Sequence, residues 1–225
     1  MHIEPGVVVG AKAILGLVTA AAAVFKTGRA FRNDRHRDAL ATIAMRSLVA
    51  TMIVIAIFQF LPHPPVGVSE VHLILGSTLL LTLGVAPAAI GLGVGLLLQG
   101  ILFAPADLPQ FGMNLTTLLL PLFAVDALAQ RIVPIETAYV DLTYSQVLRL
   151  SATYQAGIVG WVAFWVLYGE GVSVGSLQSL ASFAAVYASI IVIEPIIDLA
   201  VLAAARSGKG SLIETVFDAK VFAPS

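Results

Sequence analysis

Seven apolar runs, at about residues 7–25, 46–62, 71–84, 87–104, 113–130, 147–168 and 176–205, govern what this chain can fold into. A helix rises 1.5 Å per residue, so crossing a hydrocarbon core of about 30 Å takes about 20 apolar residues. All the runs but the third come near that length or pass it. Only 11% of the 225 residues are charged and 59% are hydrophobic, against about 25% charged in soluble domains. The expected fold class is therefore an all-α integral membrane protein with about seven transmembrane helices. Residues 1–225 form a single transmembrane domain, with 206–225 as a short cytoplasmic tail.

Orientation follows from where the cations fall. Lys26, Arg29, Arg32, Arg35 and Arg37 crowd the stretch after the first run, and clustered Lys and Arg stay in the cytoplasm. This puts the N-terminus outside. The run is read as a retained helix and not a cleaved leader, because Glu4 and Pro5 stand where a basic leader segment belongs. The third run is short and is read as one arm of a helix hairpin turning through Gly84 to Ala89. With seven crossings, every Lys and Arg except Lys12 falls at or beyond a cytoplasmic helix end, and the C-terminus is inside. Fusing the third and fourth runs would move Arg131 and Arg149 outside.

Chemistry concentrates at the outer end. Met1-His2 sets a terminal amine, an amide nitrogen and an imidazole Nδ1 in a row, which close two fused rings around one ion. Three coplanar nitrogens suit Ni(II), Cu(II) or Co(II) better than Mg(II) or Ca(II). The bulk of His2 disfavours removal of Met1, which keeps the amine in place. The topology brings His2, His63 and His72 to one side and leaves His36 on the other. His72, read as starting the third helix, is the best fourth ligand; His63, followed by Pro64 and Pro65, reads as an exposed turn. Below about pH 6, protons compete for the two imidazoles. Gln59, Gln99 and Asn114 sit where they could orient a ligating ring. Glu4 and Glu70 are read as local partners and not as ligands.

Three stretches resemble the substrate-binding S components of cobalt and nickel energy-coupling-factor (ECF) transporters, CbiM and NikM. They are the opening Met1-His2-Ile3; the segment Ser69-Glu70-Val71-His72-Leu73 running to Gly76; and Leu98-Gln99-Gly100-Ile101-Leu102-Phe103, followed by Asp107-Leu108 and Phe111-Gly112-Met113-Asn114. The resemblance implies an ion held by the amine of Met1, the amide nitrogen and ring of His2, and His72. It implies Co2+ or Ni2+ as substrate, with no organic cofactor, in a bacterial cytoplasmic membrane. It also implies a transmembrane coupling (T) subunit, a pair of cytoplasmic ATPases and a small accessory membrane subunit as partners, and no nucleic acid. Thr117 departs from the family, where a second asparagine is usual, and leaves Co2+ against Ni2+ open.

Other chemistries find no support in the residues. There is no cysteine, no phosphate-binding G-x-x-x-x-G-K-[ST] loop, and no H-E-x-x-H or G-x-S-x-G signature. A non-transport subunit whose histidines hold a cofactor or an interface is the competing reading. Glu194 and Asp198, spaced i, i+4, are expected to form structural ion pairs with Arg131, Arg149 or Arg206, with a proton relay as the alternative. The small-residue pairs Gly6/Gly10, Gly16/Ala20 and Gly91/Gly95 allow close helix approach, within the chain or against a partner.

Overall fold

In the computed structural model, Ile3 and residues 6–134, 136–207 and 212–223 are described. The helices are α1 (Ala13–Asp34), α2 (Leu40–Phe60), α3 (Gly76–Leu83), α4 (Val85–Leu102), α5 (Phe111–Ile132), α6 (Tyr144–Glu170) and α7 (Val174–Ser207). A two-stranded hairpin, β1 (Pro65–Val66) and β2 (Ser69–Glu70), lies between α2 and α3. Among the described residues six helices are long and apolar enough to cross a membrane. This is a multi-pass membrane protein.

The element that falls short is α3. Its eight helical residues rise about 12 Å, and the non-helical stretch 71–75 precedes it, ending on Leu75 in the left-handed region. A single residue, Gly84, then separates α3 from α4. Its φ of +92° suits glycine, and Pro87 sits in the first turn of α4, where a missing N–H costs nothing. α3 and α4 are separate helices, as the hairpin reading expected, with the correction that His72 lies in non-helical chain four residues before α3 and does not begin a helix.

Hydrogen bonds mark the two ends of the bundle. At one, Ile3 forms an antiparallel bridge with Ser69 and donates its N–H to Asn114 Oδ1. At the other, Ala86 N–H donates to Asp34 Oδ2, Asp218 N–H to the Thr82 carbonyl, and Arg46 bonds Asp38 and Asp218. Gln146 ties the start of α6 to Ile132 at this second end; with Thr143 it forms a capping box that fixes where α6 begins. The basic stretch expected as a loop is instead helical as far as Asp34. Lys and Arg are good helix formers with long apolar stems, and Lys26 Nζ lies 4.9 Å from the Phe123 ring centroid. Lys12 has its own role, donating to the Gly169 carbonyl at the end of α6 at 2.9 Å.

Small residues set the helix packing. A Cβ on Gly91 would lie 2.3 Å from Ala50 Cβ, and one on Gly95 2.6 Å from Val54 Cγ1, so α4 seats directly on α2. Gly112 meets the Gly16 carbonyl in the same way, joining α5 to α1. Two of the three small-residue pairs are thus used inside the chain. Gly6 and Gly10 precede α1, have positive φ and meet nothing within 4 Å. Trp165, Tyr154, Tyr187 and Phe183 are wholly buried among α6 and α7, while Leu17, Phe25, Leu48, Met52, Val192 and Ile196 are exposed and face lipid.

Candidate metal centre at the Ile3 end

The β1–β2 hairpin presents the site. Its turn uses Gly67, whose φ is +64° and whose missing side chain lets the backbone approach α7; a Cβ there would lie 2.6 Å from the Ser179 carbonyl oxygen. Ile3 adds to the outer strand through its bridge to Ser69. Its N–H donates to Asn114 Oδ1 at 3.0 Å, and Ile3, Ser69 and Asn114 are all buried. Ile3 is therefore anchored by backbone pairing on one side and a buried amide on the other.

His72 is 2% exposed. Its ring stacks on His63, with centroids 4.9 Å apart and planes 6° apart, and tilts against Phe58 at 5.1 Å. The Tyr187 hydroxyl donates to the His72 carbonyl at 3.3 Å. His72 Nε2 lies 2.9 Å from Glu70 Oε2. An ionised carboxylate only accepts, so Nε2 carries the hydrogen and Nδ1 is the unprotonated nitrogen of a neutral ring. A carboxylate behind the ring is the usual way a ligating histidine is oriented and made more basic. His63 Nδ1 is 3.8 Å from Glu70 Oε1. His63, Glu70 and His72 each offer a ligand atom within 4.8 Å of the others.

The sequence-based candidates fare unequally. Met1 and His2 lie outside the described residues. His72 is at the site, and His63, half-buried, stacks on it instead of standing apart in a turn. Asn114 is at the site too, but it holds the Ile3 backbone and not an imidazole. Gln59, near the end of α2, is half-buried and makes no hydrogen bond among the described residues. Gln99 is buried in α4, and its Oε1 has no described partner. Thr117 turns its hydroxyl to the Met113 carbonyl of its own helix at 2.8 Å. Glu70, read as a local partner, pairs with His72; the sequence alone does not specify which residue it pairs with.

Comparison with known proteins gives a consistent picture. The family profile for the cobalt uptake substrate-specific transmembrane region matches residues 2–211. A solved structure described as a transition metal transporter is 19% identical, with a TM-score of 0.67 over 96% of this chain and 96% of that one. A truncated transition metal transporter is likewise 19% identical, with a TM-score of 0.66 over 92% of this chain and 99% of that one. At such identity the two structures establish the shared fold. No curated protein sequence matches.

Proposed function

Because this chain belongs to CbiM, the family of the cobalt uptake substrate-specific transmembrane region, we propose that it is the subunit of an ECF-type importer that takes a single Co2+ or Ni2+ ion from outside the cell. The ion is the substrate. Its ligands in this reading are the Met1 amine, the His2 amide nitrogen and ring, and His72 Nδ1, with Glu70 holding the hydrogen of His72. The observation that carries the reading is the seating of Ile3, covalently next to His2, against Ser69 and Asn114, three residues along the chain from His72. Nitrogen donors in that number favour a late divalent transition metal over Mg2+.

The orientation belongs to the same proposal. Arg29, Arg32, Arg35, Arg37 and Arg46 gather at the Asp34 end, which supports a cytoplasmic Asp34 end and an external Ile3 end; Lys12, bonded to the Gly169 carbonyl, is the exception. Release inward then requires reorientation driven by a T subunit and a pair of ATPases, since the chain has no nucleotide-binding loop.

Metal analysis of protein purified with its native N-terminus tests the reading: one Co2+ or Ni2+ per chain is expected, unaffected by excess Mg2+. Asn114→Ala frees the Ile3 amide and is expected to weaken binding about 10–100-fold, the usual cost of losing a group that positions a ligand; titration with either ion measures it. A second reading has its own observation, the proximity of His63, Glu70 and His72, in which those three side chains hold the ion directly. It requires Nε2 of His72 to give up its hydrogen, and it makes His63 essential.

A further inference from the structure

Two carboxylates lie inside the bundle with no cation paired to them among the described residues. Glu194 and Asp198 are 0% and 1% exposed and share one face of α7. The expected arginine partners are engaged or placed elsewhere: Arg206 pairs with Asp141 at 2.6 Å, and Arg149 is exposed on α6. Among the described residues no Lys, Arg or His forms an ion pair with either carboxylate. From α3, the Ser77 hydroxyl lies 2.9 Å from Asp198 Oδ2 and 3.3 Å from Glu194 Oε1, and Thr78 donates to Asp198 Oδ1. From α6, Gln155 Nε2 donates to Glu194 Oε2, and Ser151 Oγ lies 3.5 Å from Ser77 Oγ. The other titratable groups facing Glu194 are Tyr154 and Tyr187, neither of which can supply positive charge.

Ser77 has one hydrogen shared between the two carboxylates, Ser151 reaches both as well, and the Tyr154 hydroxyl makes no hydrogen bond among the described residues. Gln155 Oε1, on the same amide whose Nε2 reaches Glu194, is fully buried and has no hydrogen-bond partner among the described residues. An acceptor without a described donor, beside two carboxylates without a described cation partner, is a surplus of negative potential that a membrane interior does not tolerate unpaired. The available ligand atoms are all oxygen, which suits a small hard cation and not a nitrogen-seeking transition metal.

We propose that Glu194 and Asp198, with Ser77, Ser151 and Gln155, bind one small monovalent cation, Na+ or a proton, at a site separate from the transition-metal end. Na+ draws the carboxylates, the hydroxyl lone pairs and Gln155 Oε1 around itself. A proton sits on one carboxyl and is donated to a neighbouring acceptor. The site is linked to the Ile3 end by two elements: Ser77 follows His72 by five residues, and Glu194 follows Tyr187, which holds the His72 carbonyl, by two helical turns.

The test uses the full chain in detergent micelles, as wild type and as E194Q/D198N. Thermal unfolding in NaCl is compared with choline chloride at equal ionic strength, and infrared spectra at neutral pH without Na+ are searched for the carbonyl stretch of a protonated carboxyl. If Na+ is the occupant, saturating NaCl raises the wild-type Tm by about 5 °C or more, and the variant does not respond. If the proton is the occupant, the wild type shows an acid carbonyl band that the variant lacks, and Na+ has no effect. A wild type with neither response, or a response unchanged in the variant, overturns the proposal. Should the double variant not fold, Glu194→Gln alone supplies the same comparison.

Discussion

His2→Ala is expected to strip the ion from a protein that still folds, lowering affinity by more than about 100-fold, beyond what loss of a ligand-positioning group costs. The substitution removes one donor and also opens the second of the two fused chelate rings, leaving the Met1 amine unable to hold the backbone nitrogen in a planar set. The fold does not depend on it, because the anchors at this end are the Ile3 bridge to Ser69, the Asn114 hydrogen bond and the buried Val7 and Val8. His63→Ala is the paired control. In the four-nitrogen reading it keeps one ion per chain, since it removes only a stacking neighbour of His72. If the ion were held by His63, Glu70 and His72, the two results would be reversed. Titration with Co2+ and Ni2+, alongside helical circular dichroism, separates the two.

Gly76→Ala is expected to be among the most destabilising single changes in the chain. A Cβ at this position would lie 2.1 Å from Tyr154 Cζ, so the ring lies flat on the start of α3 where no side chain fits. Tyr154 cannot yield easily, being wholly buried and set beside the Glu194 cluster. The backbone cannot yield either: Leu75, just before, already has a φ of +57°, a conformation that costs a non-glycine residue about 1–3 kcal/mol. Overpacking typically costs about 1–3 kcal/mol, and this contact belongs at or above the upper end. Thermal unfolding in micelles should show a large fall in Tm, partly restored in G76A/Y154L, where the ring is replaced by a smaller branched chain. A Tm equal to wild type would mean that the ring does not seat on Gly76.

How much of this was legible beforehand depends on the physics behind each feature. The six long helices were legible, because an apolar slab of about 30 Å imposes a length on a run that crosses it. The form of the third run was not: hydropathy measures composition, and the same apolar residues can be helical or non-helical, so residues 71–75 gave no sign that His72 precedes α3. The end of α1 was missed for a related reason, since Lys26 to Arg32 read as a loop by charge although they are good helix formers. At the candidate site, His72 and Asn114 stood out by residue type and by family resemblance. Glu70 was read as a local partner, but its place beside His72 was not legible, because it depends on a strand only two residues long. The partners of Glu194 and Asp198 were misjudged because depth along a helix fixes level but not direction; the face carrying them turns toward Ser77 and Gln155 and away from the arginines.

The central claim is that the free amine of Met1 is itself a ligand, and it can be tested by comparing the native N-terminus with a chain carrying one extra glycine before Met1. Intact mass confirms each terminus, and elemental analysis gives metal per chain. The account predicts one ion for the native chain and none for the extended one, with the same helical content in both. An extended chain that keeps one ion at unchanged affinity would contradict it.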